Sequence, residues 1–270
     1  IMWGTISVVL LLSLGDSFYQ TAKIRLSPLA DGAIVGVPGF TGKSYKGMPK
    51  SRRINIKSKD VINLPNVVPG IKTVSPVLYA TDPVSRFSRN GLYSYGRIAG
   101  VDPSYLDSGN ITAAKGGRHL NKQDVENSRQ VIFLGSKYAE VLFPHGENPI
   151  GKKVYYKGIP LLVVGVQQKD APASWANTMA FIPYSTFIEL FGDQNITFYW
   201  VIPKISDNAA HVEKSIIRYF SRQLGFDPED TQAIRVIDLR RAFEFFQWFF
   251  TSINLFLGFS GLLTLAVGAH

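Results

Sequence analysis

The residues most suggestive of chemistry lie at 39–44, where GFTGKS resembles a loop that cradles phosphate with backbone N–H groups and a lysine. That pattern needs a glycine five positions before Gly42. Val37 stands there, Gly36 misses by one, and no clear strand and helix bracket the loop. His119, His145, His211 and His270 are the only histidines, none paired at the i, i+4 spacing of a zinc helix. Without cysteine there is no thiolate metal site and no disulfide framework. The chain has no G-x-S-x-G elbow and no S-x-x-K. Glu147, Asp170 and Asp193 fall in turn-like stretches and are read as solvated carboxylates, while Asn110-Ile-Thr112 and Asn195-Ile-Thr197 are sequons that matter only in a glycosylating host. These residues assign no catalytic, cofactor-binding or metal-ligating position, and the chain is read as non-enzymatic.

Charge is uneven along the 270 residues. The 29 Lys/Arg exceed the 20 Asp/Glu by nine. Residues 1–100 hold 13 basic against 4 acidic, so the whole excess lies early. Seven basic residues crowd 43–59: Lys43, Lys46, Lys50, Arg52, Arg53, Lys57 and Lys59. Nucleic-acid binding would require interleaved aromatics for base stacking, and only Tyr45 is present, so no nucleic-acid partner is expected. The run reads as a solvated loop near anionic lipid.

The elements that would position such residues begin at the two ends. Residues 243–269 are 27 positions with Glu244 as the only charge, long enough to cross a bilayer. Fourteen are Leu, Ile, Phe or Val. Together they favour insertion by on the order of 4–8 kcal/mol, against roughly 3 for a central glutamate. Six aromatics at 243–250 follow Arg240 and Arg241 and suit the membrane–water boundary. Thr251, Asn254, Gly258, Gly261 and Gly268 fall near one helical face, a candidate packing seam against another helix. Residues 1–14 are apolar and uncharged but too short to span, and they read as the end of a first membrane helix extending to about residue 18. The chain is therefore expected to be a fragment.

Between these ends, strands are expected at 71–80, 92–101, 130–135, 196–203 and 233–237, with a hairpin over 153–166 turning at Lys157–Gly158. Helices are expected at 57–64, 121–127 (Asn121 as N-cap), 135–143 and 185–191. The strongest is 207–224, with Ser206 as N-cap, Val212, Ile216, Tyr219 and Phe220 inward, and Gly225 as the stop. Arg118 and Asp124 could pair across their loop. Short strands mixed with helices point to an α+β domain.

The order of short motifs across nearly the whole chain resembles the permease subunit of MacB-type ABC transporters, the group that includes FtsX and lipoprotein-release relatives. The motifs are IMWGTISVVLLLSLGDSF (1–18), PNVVPGIKTVSP (65–76), GVDP (100–103), GGRHLNKQD (116–124), VIFLGSKYAEVLFP (131–144), NPIGKKVYYKGIPLLVVGV (148–166), FIPYST (181–186) and LFLGFSGLLTLAVGA (255–269). The resemblance implies an α+β extracytoplasmic domain between two transmembrane helices. A porter-like subdomain (29–101 plus 194–238) would be split around a Sabre-like one (102–193), with a stalk and second helix at 239–270. It also implies a bacterial inner-membrane permease that couples cytoplasmic ATP hydrolysis to motion of the outer domain. Asp238, Arg240 and Arg241 would form the coupling stalk. Implied partners are a cytoplasmic ABC ATPase carrying ATP and Mg, a second permease copy, membrane lipid and a periplasmic adaptor, with no cofactor on this chain. The competing reading of the same plan is a two-helix membrane sensor whose outer domain binds a ligand.

Overall fold

In the computed structural model the described residues are 33–80, 85–205 and 208–238, with 13, 17, 244–245, 248–256 and 258–260. The chain divides into two compact units, 32–238 and the paired terminal segments 1–31 and 239–270.

The larger unit opens with β1 (Ile34–Pro38), then α1 (Ser58–Ile62), α2 (Leu64–Val67), β2 (Ile71–Tyr79), β3 (Ser85–Arg89) and β4 (Leu92–Val101). There follow α3 (Pro103–Ser108), α4 (Lys122–Glu126), β5 (Val131–Leu134), α5 (Ser136–Leu142), β6 (Lys153–Tyr156) and β7 (Ile159–Val166). The last elements are β8 (Met179–Pro183), α6 (Tyr184–Phe191), β9 (Phe198–Pro203), α7 (Ala209–Leu224) and β10 (Ile234–Asp238).

All ten strands join one sheet in the order β10-β1-β9-β2-β4-β3-β6-β7-β5-β8, and β8 returns to pair with β4. That last pairing closes six strands into a ring, leaving β10-β1-β9-β2 as an open antiparallel extension. The link is short: β2 meets β4 through Leu78↔Gly100 and Tyr79↔Ala99. The boundary expected at residue 101 falls at the end of β4, a strand that pairs with β3 and β8 in the ring and with β2 of the open sheet.

Alternation along the ring strands explains how both faces are filled. Ile132, Leu134, Ala180, Ile182 and Ile98 fall in one buried cluster, and Val131, Phe133, Met179, Phe181, Ala99 and Val101 in another. The first cluster continues under α1, α2 and α7 through Val61, Leu64, Val212, Ile216 and Phe220. Tyr105 of α3 bridges the two halves, with ring contacts to Phe181 of the closed strands and Trp200 of the open ones.

The anticipated α+β mixture is present, and most elements fall within two residues of their expected bounds. The 153–166 hairpin turns at Lys157 (φ 49°) and Gly158 (φ 84°), the pair of left-handed residues that a two-residue hairpin turn requires. Asn121 caps α4, its side chain accepting from Asp124 N at 2.9 Å, and Gly225 ends α7 at φ 65°. Strands β1 and β3 were not anticipated. Each has only five residues; β1 is interrupted by Gly36 and ends on Pro38, and β3 is polar apart from Phe87. For α7 the N-cap is Asn208, without a side-chain cap bond, instead of Ser206, which lies outside the described residues.

Gly36 of β1 faces the fully buried ring of Tyr199 across the β1–β9 pair, and a Cβ at Gly36 would sit 1.8 Å from Tyr199 Cζ. Burial pushes the Tyr199 phenol well above its usual range, with the Glu213 charge adding to the shift, and its hydroxyl has no hydrogen-bond partner among the described residues. Gly36→Ala is therefore expected to cost about 2–3 kcal/mol by overpacking. Tyr199→Phe is expected to leave stability unchanged or raise it, because it removes an unsatisfied buried hydroxyl. Urea unfolding of the two variants checks both signs.

Candidate functional site

The phosphate-like stretch 39–44 is a built loop with its donors already occupied. Gly42 N and Lys43 N donate to one carboxylate oxygen of Asp230 at 2.7 and 3.2 Å, and Gln232 N donates to the other at 3.1 Å. Asp230 is 4% exposed, so an internal anion sits where a phosphate would. The loop is further tied by Gly39 N to Ala233 O (2.9 Å) and by Ser51 N to Thr41 O (2.6 Å). Such a loop holds the α7–β10 connection against the β1–α1 connection.

Three of the seven basic residues at 43–59 share this structural work. Lys43 pairs with Asp227 at 3.5 Å, and Lys57 pairs with Asp193 at 3.9 Å and also donates to the Asp193 carbonyl. Arg52 donates to the carbonyls of Leu224 and Gly225 at 2.7 and 2.8 Å, satisfying the end of α7 and opposing the negative end of its dipole. The solvated reading holds for Lys46, Lys50, Arg53 and Lys59, which are exposed.

Asp124 is the most enclosed carboxylate. Its side chain is 0% exposed, receives Arg118 Nη1 and Nη2 at 2.6 and 3.1 Å and Asn121 N at 3.0 Å, and lies 3.7 Å from Arg129. Burial by itself would raise its pKa. The Arg118 and Asn121 hydrogen bonds and the two guanidinium charges outweigh burial and hold it below the usual carboxylate range. The pair suggested by sequence is thus present, and it serves to cap α4 and fix the 116–124 loop.

Glu147 differs from expectation. Instead of a free solvated carboxylate, it grips Arg89 through two bonds of 2.8 and 2.7 Å and also accepts from Lys152. Arg89 in turn donates to Leu142 O at 3.1 Å and stacks over Phe143. The Arg89 and Lys152 hydrogen bonds lower the Glu147 pKa. No sequence spacing announces this cluster, because Arg89 and Glu147 are brought together only by the β3–β6 pairing. His119 Nδ1 lies 2.8 Å from Asp107 Oδ1, and the described residues hold no group of three or more potential metal ligands. Of the sequon residues, Asn195 donates its amide to Asn55 at 2.8 Å, while Asn110 stands exposed at φ 51°.

In the smaller unit, helical backbone runs through 248–256 and 258–260. Of the seam residues, Thr251 is exposed, Asn254 and Gly258 are half-buried, and a Cβ on Gly258 would meet no atom within 4 Å; Gly261 and Gly268 lie outside the described residues. Trp248, Leu255, Phe256 and Phe259 are exposed at 65–71%. Among the described residues no helix is long and apolar enough to cross a membrane; most of the first expected span and about half of the second lie outside them. Arg240 and Arg241 also lie outside, and Asp238 closes β10 opposite Ile34.

The described residues thus form no catalytic constellation. They form a domain whose first and last strands are hydrogen-bonded neighbours, with Ile34 opposite Asp238, and whose loops are fixed by internal carboxylates. That is the design of a domain carried between two flanking chain segments.

The chain belongs to the MacB-like periplasmic core domain family, whose model matches residues 1–219. It is 30% identical over 152 residues to the macrolide export ATP-binding/permease protein MacB of Campylobacter jejuni, covering 54% of this chain and 23% of that protein. It is 23% identical over 273 residues to MacB of Rhodospirillum rubrum, covering 98% of this chain and 39% of that protein. The chain therefore spans well under half the length of these relatives. Its fold is shared with the periplasmic region of MacB from Actinobacillus actinomycetemcomitans (TM-score 0.64, 20% identity, 82% of this chain and 95% of that one). It is also shared with the extracellular domain of the ABC-type transporter YknZ from Gram-positive bacteria (TM-score 0.62, 18% identity, 76% and 99%).

Asp124→Ala is expected to destabilise the domain by about 2 kcal/mol. It removes charge-assisted bonds and a helix cap, discounted because the 43%-exposed Arg118 remains hydrated. The sign follows from linkage. A carboxyl whose folded pKa is depressed contributes above its unfolded value and loses that contribution as pH falls through the folded one. The gap between wild type and variant in urea unfolding should be full at pH 7 and shrink below about pH 4.

Proposed function

We propose that the chain is the extracytoplasmic domain and flanking helices of the permease component of an ATP-driven ABC transporter in the bacterial inner membrane. Family membership supports the transporter over the sensor. The observation that carries the mechanism is the β1–β10 pairing, in which the chain enters at Ile34 beside the point where it leaves at Asp238. Two membrane helices attached there would start side by side. A shift of one against the other would act directly on adjacent strands of the open sheet.

In this reading the open strands β10-β1-β9-β2 with α7 form the porter-like subdomain, and the closed ring forms the Sabre-like one. The ring includes β3 and β4, so the division falls after β2. Residues Asp238, Arg240 and Arg241 form the stalk that passes motion to the helix at 243–269, and Thr251, Asn254, Gly258, Gly261 and Gly268 give that helix a face for close packing. ATP and Mg are handled by a nucleotide-binding domain outside these 270 residues. The names of the relatives, which join "ATP-binding" to "permease", support such a domain on the same or a partner chain. A second permease copy would complete the cleft, and a periplasmic adaptor would receive the cargo. Reversing a 1:99 open–closed equilibrium requires about 5.5 kcal/mol of differential interaction, which only a stiff connection transmits.

Inserting Gly-Gly between Arg240 and Arg241 in the full transporter, reconstituted with its ATPase, should abolish transport while basal ATP hydrolysis persists. Unchanged coupled transport would sink the mechanism.

A further inference from the structure

The exposed face of α7 carries Arg218 and Arg222 one turn apart, both exposed, and neither guanidinium has an ion pair or hydrogen bond among the described residues. Two adjacent unpaired arginines repel each other unless something anionic joins them. They stand on the shared wall of two clefts. One, of about 360 Å³, runs between α7 and the turn at Tyr45–Met48, and Lys46 lines it. The other, of about 500 Å³, runs between α7 and the end of α2, lined by Val67, Val68, Pro69 and Tyr219. No carboxylate lines either cleft.

This positive charge is not an accident of a loose loop. Lys46 is presented by a tight turn in which Lys46 (φ 45°) and Gly47 (φ 81°) are both left-handed, and Met48 lies over Gly225 at the end of α7. Of the acids that follow α7, Asp227 is engaged by Lys43 and Asp230 by the Gly42 and Lys43 amides, while Glu229 is exposed and lines neither cleft. Arg52 offsets the α7 carbonyls that would otherwise repel an anion. What remains is a groove made of two adjoining clefts that share Arg218 and Arg222; Lys46, whose ammonium lies 5.3 Å from the centre of the Tyr45 ring, lines one, and an apolar wall including the 44%-exposed Val67 lines the other.

We propose that this groove binds an amphiphile headed by a phosphate group, with the head between Lys46, Arg218 and Arg222 and the tail along Val67, Pro69 and Tyr219. Guanidinium forks match the geometry of phosphate oxygens, and two of them with an ammonium set three positive charges around a double negative one. The apolar wall distinguishes such a ligand from free phosphate. The inference stands apart from the transport reading, since a groove of this composition would bind the ligand in a sensor as well.

The test is calorimetric titration of the full chain in phosphatidylcholine nanodiscs with hexyl phosphate and, separately, inorganic phosphate, each corrected with empty nanodiscs. Hexyl phosphate should bind saturably and about tenfold tighter than inorganic phosphate. The double variant Arg218→Gln/Arg222→Gln should weaken both ligands by at least about tenfold. Val67→Ser should weaken only hexyl phosphate. Lys214→Gln, which removes an exposed charge of the same helix that lines neither cleft, should change neither. Equal affinity for the two ligands would reduce the groove to a bare anion site and overturn the proposal. So would hexyl phosphate binding that survives the double substitution in a variant whose circular dichroism shows it folded, or an equal loss with Lys214→Gln.

Discussion

The rest of the structure depends on β1 being held between β9 and β10. Five residues, Ile34 to Pro38, pair antiparallel on both sides, so the chain's arrival in the domain and its departure are fixed to each other by backbone hydrogen bonds. Gly36 makes this possible at close quarters, because the Tyr199 ring lies across the space its side chain would occupy. Everything between residues 38 and 234 is in effect one long excursion from that strand pair.

Internal anions set the loops of this domain. Asp230 takes the amides of a loop whose sequence resembles a phosphate cradle, Asp124 gathers Arg118 and a helix cap, and Glu147 gathers Arg89 and Lys152. In each case a carboxylate supplies what an exogenous ligand or water would otherwise have to supply to backbone donors or a part-buried guanidinium. The basic composition acquires a different meaning as a result. Part of the early excess of Lys and Arg is consumed in fastening connections, and Lys46 joins Arg218 and Arg222 beside α7.

The closed ring and the open sheet share one hydrogen-bonded ladder but meet through only two register pairs of β2 and β4. Side chains reinforce that narrow joint, with Tyr105 inserted between Phe181 and Trp200 and the hydrophobic clusters running through both halves. The closed strands leave no edge of their own, since β8 returns to β4. A joint that is thin in backbone and thick in packing resists shear yet keeps two parts distinct.

What the sequence determined by itself was local. Short runs rich in β-branched and aromatic residues placed β2, β4, β7 and β9, the 3.6-residue pattern of Val212, Ile216 and Phe220 placed α7, and Asn121, Gly158 and Gly225 placed a cap, a turn and a stop. Each of these signals acts within a few residues and is therefore written in consecutive letters. The order of motifs carried the family for the same reason. Tertiary structure alone decided which strands close on one another, and so moved β3 and β4 into the ring. It decided that Asp230, 188 positions away, would occupy the amide of Gly42. It also decided that Arg89 would find Glu147 and that Arg218 and Arg222 would find no carboxylate among the described residues. Those outcomes rest on long-range register and on which charges are already spent, and neither leaves a trace in local spacing.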